Sequence, residues 1–63
     1  MMTEDEVLWG AALMLMRRHG DAAPVKVAEH IGELALDGDE VGRAVWVKIA
    51  YRMDQLMREG SIN

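Results

Sequence analysis

Three runs of hydrophobic residues at helical spacing follow one another along this chain, each closed by a glycine. The first, Val7-Leu8-Trp9-Gly10-Ala11-Ala12-Leu13-Met14-Leu15-Met16, is apolar almost all the way round. A helix of that kind is buried on more than one side. In so short a chain this implies a partner, most simply a second copy. Thr3 reads as its N-cap, and Glu6 completes a capping box. Acids open the helix and Arg17-Arg18-His19 close it, both in favour of its dipole. Gly20 then supplies a left-handed C-terminal position.

Asp21 can cap a second helix, with Pro24 in its first turn. Val27, Ala28, Ile31, Leu34 and Ala35 form its apolar stripe. Lys26, Glu29, His30, Glu33 and Asp37 lie away from that stripe, and Gly38 ends the helix. Asp39 caps the third, whose inward stripe is Gly42, Val45, Trp46, Ile49, Met53 and Leu56. Gly42 on that face would let another helix approach closely. Gly60 ends the third helix and leaves Ser61-Ile62-Asn63 as a tail. The helices are predicted over about 4–19, 22–37 and 40–59. The reading is a compact all-α three-helix domain with short, glycine-punctuated turns, covering residues 1–63 as one domain. Helix 1 is its expected centre, packing on both others.

Some apolar residues do not fit this core. Leu13 and Met14 fall outside the stripe Leu8-Ala12-Leu15 of helix 1. Val47 and Tyr51 point opposite Ile49 on helix 3, and Val25 and Leu36 flank the stripe of helix 2. Scattered surface apolars are normal. A surplus on all three elements favours an interface, with Leu13 and Met14 on the free side of helix 1 and Val47 and Tyr51 as a second candidate patch. The methionines at 14, 16, 53 and 57 read as core gap-fillers in preference to an adaptable binding surface.

Size and composition sharpen this. The chain has 63 residues, 51% of them hydrophobic, and no cysteine. A core below roughly 70–80 residues rarely supplies more than about 3–5 kcal/mol. Disulfides and thiolate metal sites are excluded, which leaves good packing or association. The net charge of −4 weighs against a primary nucleic-acid role. The apolar stretch of helix 1 is about half the length of a spanning segment. Its acidic flank precedes it and its basic flank follows, the reverse of an export signal. No membrane role and a cytoplasmic location are expected.

Candidate chemistry is thin. His19, in the last turn of helix 1, fits a capping role better than catalysis. His30 and Glu33 could give two metal ligands, but a solvated face explains them better and no metal is expected. No nucleophile is set up: Thr3 and Ser61 are terminal and the lysines lie on polar faces. No glycine-rich phosphate loop is present, so neither catalytic residues nor a cofactor are expected. Trp9 and Trp46 sit on or beside the inward stripes and read as core.

Val27-Ala28-Glu29-His30-Ile31-Gly32 looks like the first helix of a helix-turn-helix, and Leu56-Met57-Arg58-Glu59-Gly60-Ser61-Ile62 like the close of a winged-helix element. The interval between them is too long for a tight turn and recognition helix, and the chain stops where a wing would begin. Arg43, Lys48 and Arg52 would be the DNA contacts of this alternative, a truncated regulator. They spread around helix 3, and nucleic acid is disfavoured.

Trp9, Ala12, His19-Gly20, Ala28, Ile31, Leu34, Gly38-Asp39, Gly42, Trp46, Ile49 and Leu56 form a pattern that resembles a family of short bacterial all-helical proteins. That family is catalogued only as a domain of unknown function. The resemblance runs from about Thr3 to Leu56 and rests mostly on packing and capping residues. It implies a small helical fold and brings no activity, cofactor or catalytic residue. The function expected is that of a non-catalytic interaction module, homodimeric or bound to another protein.

Overall fold

In the computed structural model, which describes residues 1–60, α1 spans Glu4–His19, α2 Ala23–Leu36 and α3 Glu40–Gly60. A single 3-10 turn, Gly20–Ala22, joins α1 to α2. There is no strand among the described residues. The tail read at Ser61-Ile62-Asn63, and with it the end of the winged-helix segment, lies outside them.

The helix ends show how local chemistry sets the boundaries. The Thr3 hydroxyl accepts from the Glu6 N–H at 3.2 Å. The Glu6 carboxylate accepts in return from the Thr3 N–H at 3.5 Å, which closes the capping box. At the other end of α2, Asp39 N–H donates to the Leu34 carbonyl at 2.9 Å and Gly38 N–H to that of Ala35 at 3.2 Å. These two bonds make a Schellman turn around Gly38, whose φ is 76°. The Asp39 carboxylate then accepts from the Gly42 N–H at 2.9 Å and starts α3.

Three local expectations need correction. Asp21 does not cap α2; it lies inside the 3-10 turn, and the N-cap position is Ala22, with no side-chain bond. The turn carries hydrogen bonding into α2, as Ala23 N–H donates to the Gly20 carbonyl, so a side-chain cap is superfluous. Gly20 has a positive φ of 58°, but its ψ of −133° lies outside the left-handed helical well. Gly42 faces no neighbouring helix. A Cβ there would meet the Asp39 carboxylate, with Oδ2 only 2.5 Å away. The glycine makes room for the cap.

The buried core is Leu8 and Ala12 of α1, Ala23 and Val27 of α2, and Ile49 and Met53 of α3. Leu15, Met16, Ile31, Trp46, Ala50 and Leu56 pack partly buried around it. Helix α3, not α1, is the centre. It packs along both other helices, while α1 and α2 share the least contact. The 21-residue α3 is the longest element and carries a broad stripe from Trp46 to Leu56. The covered side of α1 is the one marked by the stripe Leu8-Ala12-Leu15, while Leu13 and Met14, outside that stripe, stay exposed. Three stripe positions are exposed instead of buried: Val45, Ala28 and Ala35. The domain is flattened, 40 × 31 × 17 Å, which leaves broad helix faces without a layer above them.

Candidate interaction surfaces

Only one side of α1 is covered. Leu8 and Ala12 are buried and Leu15 packs beside them. On the opposite side Val7 is 52% exposed, Met14 58% and Leu13 41%. Gly10 sits among them. A hollow of about 480 Å³ opens there, lined by Gly10, Leu13, Met14, Arg17 and Arg18. Gly10 has no positive φ and a Cβ on it would touch nothing within 4 Å. A glycine inside a helix costs about 1 kcal/mol relative to alanine. The protomer gains nothing visible in return.

Val47 and Tyr51 lie elsewhere. With Ile31, Ala50 and Asp54 they line a groove of about 300 Å³ between α2 and α3. Ile31, Ala50 and Asp54 also line a smaller hollow of about 150 Å³ that reaches Pro24 and Met57. Val47 is half-buried, not opposite the core as its spacing suggests, whereas Tyr51 is 66% exposed. The structure therefore does not bring Leu13 and Met14 together with Val47 and Tyr51; they belong to two separate surfaces. The methionines divide likewise. Met53 is buried and Met16 packs on the core, while Met14 and Met57 are exposed.

A third, wider hollow of about 990 Å³ gathers both histidines with Leu15, Leu36, Gly32 and Trp46. His30 does not lie away from the core, as its helical position suggests. It is half-buried, its ring meets Trp46 edge-on at 4.4 Å, and its Nδ1 is 3.2 Å from Glu33. His19 makes no cap bond; the Gly20 N–H itself finishes α1 by donating to the Met16 carbonyl. Among the described residues no group of three or more His, Cys, Asp or Glu side chains is placed to hold a metal.

The cations of α3 tie the fold together. Lys48 Nζ lies 3.0 Å from Glu4 Oε1, and Arg52 Nη2 donates to Asp5 Oδ1 at 2.7 Å. Arg52 also lies over the Trp9 ring, 5.4 Å from its centroid. Trp9 in turn donates from Nε1 to Asp5 Oδ2 at 3.0 Å. Trp9 is thus half-buried at the rim of the fold and is not part of the core. Lys48 and Arg52, spaced one turn apart, share a face turned to the acidic end of α1, while Arg43 lies on the exposed first part of α3. Two of the three residues that would contact DNA are already ion-paired within the chain. The signal for this was present in the sequence: Glu4 and Asp5 on one helix and an i, i+4 pair of cations on another.

The structure thus defines an all-α domain with uncovered apolar helix faces. Residues 4–61 match the model of a family of unknown function (DUF6961), and the chain belongs to that family. No curated protein and no solved structure matches it. Among the described residues, no helix is long and apolar enough to cross a membrane.

Proposed function

We propose that this protein is a non-catalytic, cytoplasmic interaction module that works by self-association, most simply as a homodimer. The observation that carries the reading is the outer face of α1, where Val7, Leu13 and Met14 stand exposed around a glycine the protomer does not need. Three large apolar side chains exposed on one helix face, on a domain with six buried residues among those described, fit a contact surface. The groove holding Val47 and Tyr51 is a second surface, open to another protein once the first is occupied. Light scattering on a sizing column, over a concentration series, tests the reading. A mass of two chains that persists on moderate dilution supports it. Leu13→Glu should shift that mass toward one chain. If Leu13→Glu and Tyr51→Glu both leave assembly and stability unchanged, the interface reading is wrong.

A further inference from the structure

We propose that two copies pair through the outer faces of their α1 helices, antiparallel about a two-fold axis, with Met14 of each seated in the hollow over Gly10 of the other. This rests on the self-association reading above and specifies its geometry. Val7, Gly10, Met14 and Arg17 recur at spacings of three and four, so they form one stripe along the helix. The middle of that stripe is a hollow beside a projecting methionine. The two are complementary in shape, and a two-fold axis uses both twice.

The occupant is identified by charge. The first turn of α1 carries Glu4, Asp5 and Glu6, and its last turn Arg17, Arg18 and His19. Glu4 and Asp5 are engaged with Lys48 and Arg52 of the same chain. Glu6 bonds to its capping partner Thr3 and is otherwise open to solvent. Arg17 and Arg18 form no ion pair among the described residues. When Met14 of one copy lies over Gly10 of the other, the antiparallel register brings Glu6 of each copy beside Arg17 of the other, one residue out of level and on the same flank of the stripe. A parallel pairing would set base against base. The surface is therefore complementary to itself, and a second copy of this chain is its partner. A single pair of helices makes a small interface, below about 1,200 Å² in total, so a micromolar dissociation constant is expected.

The test begins with the dissociation constant of the native chain, by sedimentation or light scattering from micromolar to near-millimolar concentration. Gly10→Gln fills the hollow with a good helix former and removes nothing the protomer uses. It should keep the helical circular dichroism and raise the dissociation constant at least tenfold. Register is read by mixing the Gly10→Cys chain with the Met14→Cys chain under mild oxidation. The mixed disulfide should form faster than either chain's disulfide with itself. A native chain that stays monomeric throughout overturns both this pairing and the self-association reading. A native dimer left intact by Gly10→Gln overturns the α1 pairing alone. A Gly10→Cys chain that links to itself as readily as to the Met14→Cys chain overturns the register.

Discussion

Arg52 is held over the indole of Trp9, its guanidinium carbon 5.4 Å from the ring centroid, while both residues bond to the same carboxylate, Asp5. Trp9 and Asp5 are one turn apart on α1, so a single side chain from α3 engages two positions of the facing helix. This arrangement ties the first turns of α1 to α3 at the rim of the core that packs the two helices together.

Arg52→Gln removes the cation from both contacts. The arginine side chain is 28% exposed and Asp5 58%, so water and salt screen much of the ion pair. The cation–π contact adds about 0.5–1 kcal/mol. The expected loss is about 1 kcal/mol in urea unfolding. The difference from the native protein should shrink in high salt without vanishing, since the ring contact is less screened.

The glycines should divide by position. Gly10→Ala and Gly32→Ala are expected to stabilise the protomer by about 0.5–1 kcal/mol, because both are helical and a Cβ meets nothing at either site. Gly42→Ala should destabilise it although alanine favours helix, because the new methyl displaces the Asp39 carboxylate from its cap. Urea midpoints at low protein concentration would separate the two signs.

Asp39→Ala leaves the Gly42 N–H without its acceptor and should cost about 1 kcal/mol. Asp39→Asn should recover most of the loss, since the amide oxygen also caps. Thermal unfolding of the two variants checks this.

Met53→Ala empties a site 2% exposed at the centre of a six-residue core. Such truncations cost about 2–5 kcal/mol. In a domain of this size that approaches the whole stability, so cooperative unfolding should be lost. Met57→Ala, at a position 43% exposed, should change little. Near-ultraviolet circular dichroism and a melting curve distinguish the two.

Periodicity and capping residues along the chain set the elements and most of their ends. Helical periodicity is a property of near neighbours, and so are caps such as Thr3 with Glu6 or Asp39 with Gly42, whose partners are three residues apart. The absence of cysteine and the surplus of apolar residues were equally open to reading. So was the covered side of α1, marked by the stripe Leu8-Ala12-Leu15, although an apolar pattern does not say how many helices will lie against it. Tertiary structure alone made α3 the centre, left Val45 outside and turned Trp9 to the rim. It also joined Lys48 to Glu4 and Arg52 to Asp5 across more than forty residues of chain. Periodicity gives each helix its apolar stripe, but the pairing of stripes depends on shape and charge meeting in space. Gly10 and Gly42 are both helical glycines in sequence: Gly42 makes room for a cap three residues away, a local matter, whereas only the packed chain shows that Gly10 borders an open hollow.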